Sequence, residues 1–193
     1  MTTSYILIGL IVVVLIWGVS MYNRFVRLVQ QTVEAWADID VQLKRRYDLI
    51  PNLIETVKGY ASHERETLDA VTTARSKATS VHVDPSNLTP ESIAAMSGAE
   101  AGLTQALGKL LMVAEAYPDL KANTNFLELQ RELSDTENKI QAARRFYNGN
   151  VKDLMVALQQ FPSNIIGSMF SFKAAEYFEV ENDTEREPVK VSF

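Results

Sequence analysis

From Met1 to Asn23 no side chain carries a charge, and Tyr5 to Tyr22 is a nearly continuous apolar run. At ~1.5 Å per helical residue that run is about 27 Å long, enough to cross the hydrocarbon core of a bilayer. Tyr5, Leu10, Leu15, Trp17 and Tyr22 mark the expected membrane-spanning face, with the aromatic residues suited to its two interfaces. A secretory signal would have a basic start and a small-residue cleavage site, whereas this segment begins Met-Thr-Thr-Ser and runs into Tyr22-Asn23-Arg24. Residues 1–23 are therefore read as an uncleaved anchor. Arg24 and Arg27 follow the span and nothing basic precedes it, which places the bulk of the chain on the cytoplasmic side of an inner membrane, the periplasmic side being the alternative.

Beyond the anchor the spacing changes from a run to stripes. Val29, Val33, Trp36, Leu43, Tyr47 and Ile50 step along one helical face, and Pro51 falls where that helix would break or restart. A second stripe holds Ile54, Val57, Ala61, Leu68, Val71 and Ala78 and ends in a loop over His82–Pro90. Thr89-Pro90 reads as an N-cap with proline at the first helical position, opening a third stripe from Ile93 to Tyr117 that Pro118 and Asp119 stop. The fourth and longest stripe runs from Phe126 to Phe161, and an extra four-residue step between Tyr147 and Val151, beside Asn148-Gly149-Asn150, predicts a local unwinding or kink. Four amphipathic helices with short connections predict an all-α fold: an N-terminal transmembrane helix, an antiparallel up-and-down four-helix bundle over residues 24–161, and a short C-terminal tail over 162–193. The alternative keeps the first two helices as one kinked rod, which would need burial between chains.

Ionisable residues interrupt these stripes at Asp40, Glu64, Arg75, Glu100, Glu137 and Arg144. An unpaired buried charge costs several kcal/mol, so these residues are expected to form a paired internal network, to sit at a bundle end, or to line a groove for a ligand or for signal transduction. Counting from the turns puts Glu100 within reach of Arg75 or Arg144, with Glu64 and Glu137 together on another level.

Composition then removes chemistry. There is no cysteine and only two histidines, His63 and His82, and the Glu-x-x-His pairs of a carboxylate-bridged metal site do not occur. No cofactor, metal or catalytic residue is expected. His63 lies among Glu64, Arg65 and Glu66, a setting that suits a solvated helix face better than phosphotransfer. The formal charge is -5, much of it in the last twenty residues, where six acids face Arg186 and Lys190. The rest lacks the basic excess that nucleic acid demands, so nucleic acid is not an expected partner.

The tail is the least ordinary segment. Ile165, Ile166, Met169, Phe170 and Phe172 make it apolar, too short to span a bilayer and too poor in charge for a solvated loop. These residues could lie in the headgroup region, pack under the bundle or contact a neighbouring protomer. The acidic stretch after them would be repelled by anionic lipid, which favours protein contact, and self-association through these five residues is expected. Val189–Phe193 alternates like a lone edge strand.

Tyr22-Asn23, Trp36 to Asp40, Arg46 to Leu53, Val57 to Ala61, Asn125 to Gln130, Glu137-Asn138, Tyr147-Asn148, Phe161-Pro162 and Ala175 to Phe178 together resemble the LemA family of bacterial membrane-anchored proteins, in order over nearly the whole chain. The resemblance implies an anchor followed by an antiparallel helical bundle, in a family some of whose members are associated with shaping intracellular membranes. It brings no catalytic residues. The expected function is that of a non-enzymatic protein, in contact with the lipid bilayer, that forms a homo-oligomer and organises or shapes a bacterial membrane. The alternative is a membrane-tethered signalling or sensing adaptor that recruits another protein.

Overall fold

Pro51 does not end the first helix. In the computed structural model, which describes residues 2–85 and 88–178, α1 runs unbroken over Thr2–Lys58 with Pro51 inside it. Proline lacks the N–H that would bond the carbonyl four residues back, here that of Tyr47. Arg75 supplies the missing donor: its Nε lies 2.8 Å from the Tyr47 carbonyl oxygen. The anchor, the first stripe and the start of the second therefore form one rod. The break falls instead over residues 59–64, after which α2 occupies Arg65–Ser80. Ala61 plugs this corner, almost fully buried.

The third helix, α3, spans Pro90–Ala114. It opens on a reciprocal cap in which Thr89 Oγ1 accepts from the Ser92 N–H and Ser92 Oγ accepts from the Thr89 N–H, both at 3.2 Å. Pro118 begins a single turn, α4 (Pro118–Lys121), and Asn123 Oδ1 then caps α5 (Thr124–Gln159) by accepting from the Phe126 N–H at 3.0 Å. The expected unwinding near Asn148 does not occur, because α5 stays helical through Asn148-Gly149-Asn150. Phe161 lies outside the core stripe to which its spacing assigned it, since α5 has already ended at Gln159. A short helix, α6 (Ser163–Met169), follows. Ser171, at φ 54°, closes it in a left-handed turn, with Ser171 N bonded to Ser168 O and Phe172 N to Gly167 O. Residues 173–178 run on without helix or strand. The acids from Glu179 onward and the expected edge strand Val189–Phe193 lie outside the described residues.

The helices alternate in direction. Trp36 meets Tyr147 edge to face at 5.4 Å between ring centroids, and Arg46 meets Glu137 at 2.8 Å, so α1 and α5 are antiparallel in one constant register. Arg75 on α2 reaches back to Tyr47, while Tyr117, just beyond α3, bonds Glu64 before α2. The sequence α1-α2-α3-α5 thus goes up, down, up and down. Two apolar clusters fill the space between these helices, one around Ile50, Leu103, Leu110 and Leu120, the other around Trp36, Ile39, Ile140 and Tyr147. A third cluster, Phe25, Leu154, Ala157 and Ile166, lies at the anchor end.

Candidate functional site

Between the first two clusters sits a buried charge that the stripes did not single out. Arg46 is 1% exposed. It ion-pairs with Glu100, donates from Nη1 to Glu137 Oε2 at 2.8 Å and to Thr104 Oγ1 at 3.4 Å, and so ties α1, α3 and α5 together at one height. Tyr47 donates its hydroxyl to the same Glu100 carboxylate, and burial pushes that phenol above its usual range. The partner of Glu100 is therefore Arg46, and neither Arg75 nor Arg144 takes that place. Arg75 is occupied with the Tyr47 carbonyl. Arg144 lays its guanidinium over the Phe178 ring, 4.4 Å from the centroid. Burial, reinforced by nearby Arg46, pulls its pKa down to about 10.

Asp40 requires correction: it is exposed, because Ile39 occupies the core position one residue earlier. Glu64 and Glu137 are also apart. Glu64 accepts from the Tyr117 hydroxyl at 3.0 Å at the far end of the bundle, whereas Glu137 belongs with Arg46. That hydrogen bond raises the Tyr117 pKa. His63 is exposed, in the turn between α1 and α2 rather than on a helix face. Among the described residues no group of three or more His, Asp or Glu has the arrangement of a metal site. The network joins α1, α3 and α5 at one height; Arg46 and Glu100 are sealed inside it, while Glu137 and Thr104 also line an open groove of about 500 Å³ between α3 and α5.

The opposite end is different. Tyr5, Leu10 and Leu15 stand bare on α1, Tyr22 is exposed and Trp17 is half-buried. α6 returns the chain to this surface. Ile166 packs onto Phe25, Leu154 and Ala157, and Phe172 stacks on Phe25 at 5.1 Å while contacting Tyr22. Gly167 permits the approach, since a Cβ there would lie 2.8 Å from Leu158 Cδ2 and 3.4 Å from Phe25 Cζ. Ile165, Met169 and Phe170 point outward, with Phe170 set edge-on against Tyr22 at 4.8 Å. Of the five apolar tail residues, two are thus bound into this chain's own packing and three are open.

After α6 the chain leaves the anchor and follows the bundle. Tyr147 donates its hydroxyl to the Glu176 carbonyl at 2.8 Å, and burial pushes the Tyr147 pKa upward. Asn148 grips the backbone of Phe178 from both sides: Oδ1 accepts from its N–H at 2.9 Å and Nδ2 donates to its carbonyl at 3.2 Å. Phe178 itself is buried against Trp36. Sequence spacing gave no direct sign of this clamp or of Arg46, although Arg46 continues the buried series Ile39, Leu43, Ile50, Leu53, Val57 at alternating steps of four and three.

The LemA family profile matches residues 35–193. Similar proteins include magnetosome protein MamQ 1 of Paramagnetospirillum magneticum, 25% identical over 175 residues that cover 82% of this chain and 64% of the relative. Another is protein LemA of Metamycoplasma hominis, 27% identical over 168 residues covering 84% of this chain and 73% of that protein. The chain spans less than two thirds of the length of the MamQ relatives it matches.

Proposed function

The chain belongs to the LemA family, and from that footing we propose that it is a non-enzymatic protein of the bacterial inner membrane that self-associates and organises or shapes the bilayer. The observation carrying this reading is the placement of α6. α6 is folded back beside the chain's own anchor, where Ile166 and Phe172 pack onto Phe25 while Ile165, Met169 and Phe170 stay open. Similarity to proteins named as magnetosome proteins supports a part in building a bacterial structure rather than in catalysis. The anchor confines copies to two dimensions, which lowers the entropic cost of their meeting. Arg24 and Arg27 favour the bundle on the cytoplasmic side.

The test is reconstitution of the full chain into vesicles at rising protein-to-lipid ratio, imaged by cryo-electron microscopy with the assembly mass measured in parallel. Tubulated or indented vesicles together with a multimeric mass are expected. Smooth spherical vesicles at every ratio, with a monomeric mass, would sink the proposal. Topology is read separately: a C-terminal reporter active only outside the cytoplasm would reverse the orientation.

A further inference from the structure

We propose that α6 is a half-bilayer insert whose outward face, Ile165, Met169 and Phe170 with Phe161 at its start, is covered by the acyl chains of the leaflet on the bundle side. This rests on the reading that Tyr5–Tyr22 spans the membrane; it gives the open surface to lipid, so that the self-association proposed above falls to surfaces other than these side chains.

Height is the first argument. Carried to the end of α5, the register set by Arg46–Glu137 and Trp36–Tyr147 brings Gln159 level with Arg24, the first charge after the anchor. α6 lies beyond that point, on the anchor's side. Ile166 faces Gly18, where a Cβ would be 3.9 Å from its Cδ1, and Phe170 and Phe172 face Tyr22. A cleft of about 520 Å³ between the two elements is bounded by Val14, Gly18 and Tyr22 on α1 and by Ile166, Met169 and Phe170. Val14 to Tyr22 covers roughly 12 Å of rise, the half of the span nearer the bundle. An anchor that crosses the bilayer therefore takes α6 into one leaflet with it.

Composition agrees. No residue from Leu154 to Phe172 is charged, and none from Met1 to Asn23, so both segments meeting at this level can enter hydrocarbon without burying a charge. Phe161 is 81% exposed, Met169 68% and Phe170 52%. Side chains of this size are normal in lipid and costly in water.

Glu176, the first acid after the apolar tail, does not stand in the way of insertion. Glu176 is held beside Tyr147 and Phe178 beside Trp36. Trp36 lies fourteen residues beyond Tyr22 on one continuous helix, about 21 Å away at ~1.5 Å per residue. That exceeds two Debye lengths at physiological salt, where the length is about 8 Å. The clamp at Asn148 thus holds residues 176–178 along the bundle, away from the level of α6.

The absence of cysteine makes the test direct, because single cysteines can be labelled without background. Full-length Met169→Cys, Phe170→Cys, Val19→Cys and Lys139→Cys, each carrying a nitroxide, are reconstituted into phosphatidylcholine and phosphatidylglycerol vesicles, and collisions with oxygen and with a water-soluble nickel chelate are compared. The labels at 169 and 170 are expected to match Val19→Cys, with oxygen contact exceeding nickel contact severalfold, while Lys139→Cys shows the reverse. That result should hold as protein is diluted into lipid. Nickel contact at 169 and 170 equal to that at 139 overturns the proposal. So does dipolar broadening between labels at 170 that persists on dilution, which would make a second copy the occupant. Membrane shape is scored in the same samples: embedded labels in undeformed vesicles would end the shaping function and leave the insert standing.

Discussion

If Arg75 serves as the surrogate donor for the carbonyl that Pro51 orphans, the two residues must be energetically coupled although they lie on different helices. Arg75→Met removes the guanidinium and keeps an apolar stem, so it isolates the hydrogen bond from packing. A hydrogen bond from a charged donor contributes about 1.5–3 kcal/mol, and its loss leaves the half-buried Tyr47 carbonyl unpaired. For a chain of this size that corresponds to a melting temperature lower by roughly 3–12 °C, at ~2–4 °C per kcal/mol. Pro51→Ala restores the N–H that bonds the Tyr47 carbonyl within α1. In the Pro51→Ala background, Arg75→Met should therefore cost less than about 1 kcal/mol. The four proteins of this cycle are compared by thermal circular dichroism at 222 nm in one detergent, at matched concentration. An Arg75→Met cost that is the same in both backgrounds would refute the surrogate-donor account and leave Arg75 as an ordinary flank residue.

Further perturbations follow from the other contacts. Arg46→Met should destabilise by about 3–5 kcal/mol because Glu100 is left buried and unpaired, whereas adding Glu100→Gln should recover most of that loss, as denaturant titration of the single and double variants will show. Asn148→Leu removes both bonds to the Phe178 backbone and should speed tryptic cleavage after the exposed Lys173 severalfold, with the melting of the bundle little changed. Gly167→Leu places a large side chain where even a Cβ meets Leu158 and Phe25; Trp17 fluorescence should shift as α6 is displaced, and an unchanged spectrum would count against the close packing. The phenols of Tyr47 and Tyr147 have raised pKa values in the folded chain, so the unfolded chain releases those protons first. Their contribution is complete below about pH 10 and is lost as pH rises through the folded values, and Arg144, lowered to about 10, works in the opposite direction. Melting temperatures from pH 8 to 11.5 should fall less steeply for Tyr147→Phe than for the parent.

The helices were legible because their faces repeat at helical spacing, and the cap at Thr89 because Pro90 follows it directly. Pro51 was misleading for a reason spacing cannot supply. Whether a proline ends a helix depends on whether another donor reaches the freed carbonyl, and that donor lies on α2, twenty-eight residues away from Tyr47. Asp40 and Arg46 exchanged roles for a related reason. Trp36 can be continued at Ile39 or Asp40, and Leu43 at Arg46 or Tyr47; a pattern that prefers apolar residues takes Tyr47 and passes over the arginine, while a search for charges on the face takes Asp40. Both Tyr47 and Arg46 face inward, one at each side of Glu100.

The tail shows the same limit from the other side. Its apolar character was plain, and its acidic continuation argued against lipid so long as the two were treated as neighbours in space. Two side chains on α5 hold the first of those acids, Glu176, apart from α6. Tyr147 and Asn148 take hold of the backbone at Glu176 and Phe178, a pairing that depends on backbone groups and so leaves no mark in the residue types it binds. The extra step in the α5 stripe at this position was read as a weak point in the helix. It is where the helix turns a polar side chain toward a strand of backbone, and an asparagine amide, with one donor and one acceptor side by side, is suited to pair with an extended peptide unit. The apparent defect in periodicity therefore marks the point where the bundle takes hold of residues 176–178, so that Glu176 and the uncharged α6 occupy different surroundings.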